Sequence, residues 1–138
     1  MAVQFGERLQ AFLSEKMPVI LSTTRKDGSV QSVPVWYEYV DGLVLVNGGP
    51  TRDWLRHMQR DERVTLLFVD PTNMFRWAGV QGRLQSVNED PGGDHINHLS
   101  HRYFGRDYPG PRTDRVKIAI EPLRVTGGEN RQPWDVTQ

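Results

Sequence analysis

Two Asp-Gly turns flank one alternating apolar segment, and this arrangement limits the possible folds more than any other feature of the 138-residue chain. Asp27-Gly28 precedes residues 30–40, and Asp41-Gly42 follows them. Asp-Gly supplies the positive φ angles of tight hairpin turns, and alternation with a period of two is typical of a strand with one buried face. The pattern therefore predicts three consecutive antiparallel strands.

The order of the remaining segments predicts the fold class. Hairpins dominate and no strand–helix–strand repeat occurs, so we expect a mainly β (α+β) fold: a six-stranded antiparallel barrel with peripheral helices. The domain is predicted to span residues 1–126, followed by a loose tail over residues 127–138. The predicted elements are a helix over residues 4–15, strands beginning at Val19, Val30 and Leu43, a helix after Thr51, strands over 63–69 and 75–87, a helix over 90–104 and a strand over 115–120.

Composition excludes several kinds of function. Seventeen basic side chains balance seventeen acidic ones, so no net charge attracts nucleic acid or a membrane surface. The chain has no cysteine, which removes disulfides, thiolate metal sites and thiol nucleophiles. The N-terminal residues lack the pattern of a signal peptide, and no apolar stretch is long enough for a membrane helix. We expect a cytoplasmic protein.

The loop Asn47-Gly48-Gly49-Pro50-Thr51-Arg52 carries the clearest chemical signal of the local patterns. Glycines allow close approach of the backbone to a ligand, and the following helix directs its free N–H groups and positive dipole toward the loop. Arg52 could bind phosphate oxygens through two parallel hydrogen bonds, with Arg56 one turn further along. The alternative is an ordinary turn with Thr51 as a helix cap, since such loops are common.

Three histidines recur every third residue in the segment 90–104, at His95, His98 and His101. Neighbouring members could ligate one metal ion. Residues three apart drift around a helix by about 60° per step, however, so the three do not share a face. A polar helix surface is therefore favoured over a metal site, with Ile96, Leu99 and Tyr103 on the buried face, and we expect no metal.

Four segments together resemble the pyridoxamine 5′-phosphate oxidase-like, FMN-binding split-barrel superfamily, and within it the F420-dependent (flavin/deazaflavin oxidoreductase) branch. The resemblance covers residues 17–125. The resemblance rests on the order and spacing of the four segments more than on any single segment. The segments are RKDGSVQSVPVWYEY, NGGPTRDWLRHMQRDERVTLLFVDPTN, MFRWAGVQGRLQSV and HINHLSHRYFGRDYPG.

The resemblance implies a homodimeric split barrel that binds coenzyme F420, or FMN as the alternative. It further implies an oxidoreductase that transfers hydride between reduced F420 and a small conjugated organic substrate. It assigns no catalytic residue, and the proton donor could be solvent or Tyr103. The long strand would approach the cofactor from the same subunit or across the dimer interface. The implied cofactor-binding residues are Gln31, Ser32, Val33, Pro34, Val35, Val46, Asn47, Gly48, Thr51, Arg52, Trp54, Arg56 and Trp77.

Two positions depart from the family pattern, and the first of them bears on the anion site. Trp54 stands where the family has a phosphate-binding lysine, and His57 stands where asparagine is usual. Indole donates one hydrogen bond and carries no charge, so the anion site loses a cation unless Arg52 or Arg56 replaces it. This departure leaves a second hypothesis open, namely a split barrel that binds a cofactor or tetrapyrrole without turnover.

Overall fold

A curled antiparallel sheet with helices at its periphery forms the fold. The structure is a computed structural model and describes residues 3–137. The helices are α1 (Glu7–Leu13), α2 (Asp53–Arg60) and α3 (Asp94–Phe104), with a 3₁₀ turn at Pro91–Gly93. The strands are β1 (Gln4–Phe5), β2 (Val19–Thr24), β3 (Val30–Val35), β4 (Glu38–Val40), β5 (Leu43–Gly48), β6 (Arg63–Asp70), β7 (Asn73–Glu89), β8 (Val116–Glu129), β9 (Gln132–Pro133) and β10 (Val136–Thr137).

The main sheet has the strand order β3-β2-β6-β7-β8-β5-β4, and β9 pairs with β8. Its two ends, β3 and β4, are consecutive pieces of the segment predicted as one strand over residues 30–40. That prediction is wrong at Trp36-Tyr37, where the chain leaves one edge of the sheet and joins the other. Because only these two residues separate the edges, the sheet must curl into a half-barrel. The predicted mainly β, antiparallel fold is confirmed, and β2, β3, β5, β6, β7 and β8 correspond to its six strands.

Tyr37 fills the centre of the curl and is fully buried. Its hydroxyl donates to the carbonyl oxygens of Leu13 and Glu15 at 2.8 and 2.9 Å, which satisfies the polar group that burial removes from water. Its ring meets Phe68 edge-on, with centroids 4.8 Å apart. Tyr37 therefore ties the end of α1 to the sheet.

The N-terminal helix is shorter than the predicted residues 4–15, and its apolar residues at helical spacing are buried. Leu9, Phe12 and Leu13 of α1 are fully buried, as the spacing predicts. Phe5 is also buried, although it lies in β1 and not in the helix. Apolar residues at helical spacing pack against the sheet because burial of each large side chain stabilises the fold by roughly 1.5–3 kcal/mol.

The C-terminal segment differs from the expected loose tail. β8 continues to Glu129, and β10 pairs with β1 through Phe5 and Val136. The predicted end of this strand at residue 120 is therefore wrong, and the strand continues through Pro122, which cannot donate to a sheet. The register of the β7–β8 pair shifts between Gln81 and Gly82, where Gly82 lies opposite Pro122, and this bulge lets the strand pass the proline. Residue 138 lies outside the described residues.

Within residues 3–137, the helices are all too short and too polar to cross a membrane.

Candidate functional site

A cleft of about 590 Å³ opens between β3, the start of α2 and α3. Ligand sites in proteins commonly have volumes of roughly 300–1,000 Å³ and apolar walls with a few polar groups. The cleft fits both descriptions. Its lining residues are Pro18, Gln31, Val33, Pro34, Val35, Trp36, Asn47, Gly48, Arg52, Asp53, Trp54, Ile96, Leu99, Tyr108 and Arg115.

Most of the residues implied by the resemblance meet in this cleft. Strand β3 contributes one group of them, and β5 contributes a second at its C-terminal end, next to the start of α2. Strand β3 lies at one edge of the sheet and β5 lies next to the other edge, and the curl of the sheet brings them together. The implied residues that line the cleft are Gln31, Val33, Pro34, Val35, Asn47, Gly48, Arg52 and Trp54.

The other implied residues do not line the cleft of this chain. Ser32 is exposed, and its hydroxyl lies 2.8 Å from that of Ser22 on β2. Val46 is fully buried in the core, whereas Thr51 and Arg56 are exposed. Trp77 lies on β7 and is 36% exposed.

The cap of α2 corrects a prediction made from the glycine loop. Thr51 does not cap the helix, because the N-cap residue is Arg52, with extended backbone angles and no side-chain capping bond. The helix thus starts one residue later than the Thr51 cap implied, with Asp53 in its first turn. Arg52 is thereby placed at the junction between the loop and the helix, on the cleft.

Trp54 forms part of the cleft wall, and its side chain is packed against the protein instead of extending into solvent. Its side chain is only 7% exposed, and the indole packs directly on the backbone of Gly48. A Cβ atom at Gly48 would lie 2.8 Å from Cζ2 of the indole, closer than carbon atoms approach in folded proteins. Glycine at position 48 is therefore required by the tryptophan at position 54, and Arg52 is the cation that this part of the loop offers.

A chain of polar side chains forms one end of the cleft. The Asn47 amide nitrogen donates to Asp90 Oδ2 at 2.9 Å and to His95 Nδ1 at 3.0 Å. Arg115 Nε donates to the Asn47 amide oxygen at 2.7 Å. Asp90 also accepts hydrogen bonds from the backbone N–H groups of His95 and Ile96, at 2.8 and 3.0 Å. The start of α3 is thereby fixed to the end of β5.

Burial raises the pKa of Asp90, but its hydrogen bonds outweigh that effect. The backbone N–H groups of His95 and Ile96 and the amide of Asn47 all favour the carboxylate, so the pKa of Asp90 is held below its ordinary value of 3.8. Asp90 therefore remains an acceptor at neutral pH, and the amide nitrogen of Asn47 stays directed toward it.

The three histidines do not form the uniform polar surface that the sequence predicts. His95 is buried, and its Nε2 lies 3.3 Å from Glu38 Oε1. His98 Nε2 lies 2.6 Å from the other oxygen of Glu38, whereas His101 faces Asp107 at 2.7 Å. The backbone N–H of His95 donates to Asp90, which fixes this residue at the start of α3. Among residues 3–137, no group of three or more acidic or histidine side chains is arranged to hold a metal ion.

Glu38 makes a pH-dependent contribution to stability. The hydrogen bond from His95 holds the pKa of Glu38 below its ordinary value of 4.5, with His98 acting in the same direction and burial opposing them. A lowered carboxyl pKa stabilises the fold above the ordinary value, and this stability is lost as the pH falls through the folded-state pKa. We expect Glu38→Gln to lower the thermal midpoint at pH 7, with the difference from wild type shrinking as the pH falls from 4.5 through the lower folded-state pKa.

The matched control for this prediction is Glu62→Gln, because Glu62 is exposed. Thermal midpoints are measured between pH 3 and 8. The difference in midpoint between Glu62→Gln and wild type should stay constant over this range. A Glu38→Gln deficit that stays constant over this range would remove Glu38 as the titrating group.

Aromatic rings form another part of the cleft lining. Trp36 stacks on Tyr103 with centroids 5.3 Å apart, and it meets Tyr108 edge-on at 6.2 Å. Tyr103 itself does not line the cleft, since its hydroxyl donates to the Met17 carbonyl at 2.5 Å. Burial also raises the pKa of Tyr103. Tyr103 is therefore not placed to act as the proton donor suggested by the sequence.

Several lining residues were not assigned to a site from the sequence. Ile96 and Leu99 were predicted only as a buried helix face, and Tyr108 and Arg115 belong to a basic and aromatic loop to which no site was assigned. No motif marks them, because they reach the cleft from α3 and from the segment before β8 through contacts between distant parts of the chain. The basic and aromatic composition of residues 102–115 was the one available signal.

Comparisons with known proteins agree with this architecture. No curated protein matches the chain at a significant level. A solved structure described as an F420 reductase is 25% identical, with a TM-score of 0.79, over 85% of this chain and 94% of that chain. A conserved hypothetical protein of Mycobacterium tuberculosis is 20% identical, with a TM-score of 0.73, over 94% of this chain and 88% of that chain.

General Stress Protein 26 of Bacillus anthracis shares the fold at 19% identity, with a TM-score of 0.66, over 87% of this chain and 90% of that chain. The sequence profile described as pyridoxamine 5′-phosphate oxidase matches residues 5–127, which include every strand of the main sheet except β9 and the end of β8. The chain therefore belongs to the pyridoxamine 5′-phosphate oxidase family.

Proposed function

We propose that the protein is an oxidoreductase that binds coenzyme F420 in the cleft between β3 and α2. It would transfer hydride between reduced F420 and a small conjugated organic substrate, with FMN as the alternative cofactor. The observation that carries the proposal is the cleft itself, with its apolar β3 wall and Arg52 at the start of α2. The F420 reductase of the same fold, 25% identical over most of both chains, favours the deazaflavin over FMN.

The lining residues fit a flat cofactor with a polar edge and an anionic tail. Val33 and Val35 offer an apolar surface along one wall. The side-chain oxygen of Gln31 is buried and accepts no hydrogen bond from residues 3–137, so a ligand N–H would satisfy it. A Cβ atom at Gly49 would meet nothing within 4 Å, so no side chain crowds the loop beside Arg52.

The protein's own contribution would be binding, orientation and exclusion of water. F420 supplies the hydride chemistry when it is bound. Trp54 and Trp36 would limit the position of the ring system, since both are packed against neighbours and cannot move away freely. Arg52 would neutralise the anionic tail, with the dipole of α2 adding to its effect.

A homodimer is part of this proposal. Strand β7 presents Met74 and Phe75 to solvent at 72% and 62% exposure, and Trp77 lies beside them on the same strand. Contiguous exposed apolar side chains support an association surface, because their burial is favourable. A dimer built on β7 would also allow Trp77 to approach the cleft of the partner subunit. Sedimentation equilibrium should give twice the chain mass, and a monomer at micromolar concentration would remove this part of the proposal.

Replacement of Arg52 by alanine should weaken cofactor binding at least several-fold. Charge-assisted hydrogen bonds contribute roughly 1.5–3 kcal/mol, and exposure of the side chain reduces that contribution. The measurement is a binding titration with F420 and with FMN. The matched control is Arg56→Ala, since Arg56 lies on the same helix but outside the cleft. Equal loss in the two variants would show a general charge effect and remove Arg52 from the site.

Turnover separates the enzyme from a binding protein of the same fold. Reduced F420 is mixed with the protein and a panel of enones, quinones, nitroaromatic compounds and biliverdin, and oxidation of the cofactor is followed by absorbance. We expect protein-dependent oxidation with at least one class. Tight binding of F420 without oxidation against any of them would instead support the non-catalytic binding hypothesis.

A further inference from the structure

Arg115 occupies the polar end of the cleft and is held in place from two sides. Its Nε atom donates to the amide oxygen of Asn47 at 2.7 Å. Its guanidinium carbon lies 5.2 Å from the ring centroid of Tyr108, which is a stacking distance for a cation over an aromatic ring. The side chain is half-buried and lines the cleft. The guanidinium group is therefore ordered before any ligand binds.

The orientation of Asn47 explains why its oxygen faces Arg115. The amide nitrogen has two acceptors on its other side, Asp90 Oδ2 and His95 Nδ1. His95 accepts at Nδ1 in the tautomer whose other nitrogen, Nε2, donates to Glu38. The amide of Asn47 thus has one favourable orientation, and the buried network fixes the position of Arg115.

The terminal nitrogens of Arg115 have no acceptor among residues 3–137. No carboxylate there forms an ion pair with Arg115. Two other arginines differ in this respect: Arg76 binds three carboxylates, and Arg112 pairs with Asp94 and donates to the Gly92 carbonyl. An ordered guanidinium with its two terminal nitrogens unused suits bidentate binding of a carboxylate or phosphate.

We propose that Arg115 is an anion-binding residue of the cleft, distinct from Arg52, and that it binds a carboxylate or phosphate group of a ligand. Trp36 and Tyr108 beside it favour an anion carried on an aromatic or otherwise flat molecule. The anion belongs either to the substrate or to the cofactor. Only the second source rests on the proposed function, since anion binding itself requires no cofactor.

The test uses benzoate and phenyl phosphate as probes and benzamide as the neutral analogue of benzoate. Binding to the full chain is followed by NMR chemical-shift titration. Arg115→Gln should raise the Kd of both anions at least about tenfold, the loss expected for one charge-assisted contact. Arg112→Gln is the matched control, because Arg112 lies in the same segment but outside the cleft lining. It should change the Kd less than twofold, and benzamide should not distinguish wild type from Arg115→Gln.

Arg115→Lys keeps the positive charge but lacks the planar guanidinium, so its Kd should lie between those of wild type and Arg115→Gln. This variant also tests the proposal if Arg115→Gln does not fold. Equal Kd values in wild type and both Arg115 variants would overturn the proposal, as would failure of the wild type to bind either anion. A loss shared by Arg112→Gln would overturn it as well, since the effect would then be the charge of the segment.

Titration with FMN and with riboflavin, which lacks the phosphate, assigns the source of the anion. If Arg115→Gln weakens FMN binding but not riboflavin binding, Arg115 binds the cofactor phosphate. If it weakens benzoate and phenyl phosphate binding alone, the anion is that of the substrate. Both results support the anion site. Arg115-dependent binding of benzoate by a protein that binds neither F420 nor FMN would refute the proposed function and leave this inference intact.

Discussion

Replacement of Trp134 by alanine should lower the free energy of unfolding by about 3–5 kcal/mol, the range for loss of a buried aromatic side chain. Trp134 is 8% exposed and stacks on Phe12, with ring centroids 5.0 Å apart. Its Nε1 donates to the Trp77 carbonyl at 2.7 Å, and the guanidinium of Arg8 lies over its ring at 5.3 Å. The side chain thus joins the C-terminal segment to both α1 and β7.

Urea denaturation measures the free energy of unfolding and tests this prediction, with Trp134→Phe as the matched variant. Phenylalanine keeps the stacking on Phe12 but loses the hydrogen bond to Trp77, so its cost should be about 1–2 kcal/mol. A loss below about 1 kcal/mol for Trp134→Ala would mean that residues 127–137 contribute little to the fold. That result would support the loose tail expected from the sequence.

Replacement of Arg76 by alanine should be the second large effect, about 2 kcal/mol. Its guanidinium donates to Asp70 at 3.1 Å, to Glu129 at 2.8 Å and to Glu15. It also lies 4.7 Å from the ring centroid of Phe12. Without the cation, three carboxylates face one another over an apolar ring. The expected loss is near the lower end of the range for charged hydrogen bonds, because Glu15 and Glu129 remain partly exposed and solvent screens them.

Thermal denaturation at several pH values tests this origin of the loss. The deficit of Arg76→Ala relative to wild type should shrink as the pH falls below about 4, because protonation removes the repulsion among the carboxylates. Arg83→Ala is the control, since Arg83 forms one pair with Glu121 and is about half exposed. A deficit in Arg76→Ala that is no larger than in Arg83→Ala would contradict the central role given to Arg76.

Local patterns predicted the elements well because local chemistry determines them. Gly28 and Gly42 adopt the positive φ angles that their Asp-Gly turns require, at 88° and 80°. Alternation along β3 is retained in its burial pattern, and Trp54, Leu55 and Met58 are buried on one face of α2. The same patterns missed the break at Trp36-Tyr37, because only the curl of the whole sheet requires it.

The candidate site was predictable where one segment carries it and not where distant segments meet. The glycine loop and Arg52 could be identified from composition and spacing. The burial of His95 depends on Asp90, and the orientation of Arg115 depends on Asn47, which precedes it by 68 residues. The resemblance placed Trp54 where a lysine was expected, but the packing of the indole on Gly48 required the structure.

Titration of intrinsic tryptophan fluorescence with F420 and FMN tests the central claim most directly, because Trp36 and Trp54 both line the cleft. A cofactor seated there must quench them. We expect saturable quenching at micromolar F420, weaker quenching by FMN, and loss of affinity in Arg52→Ala but not in Arg56→Ala. Absence of saturable quenching by either cofactor in the wild-type protein would contradict the assignment of this cleft as a flavin-type cofactor site.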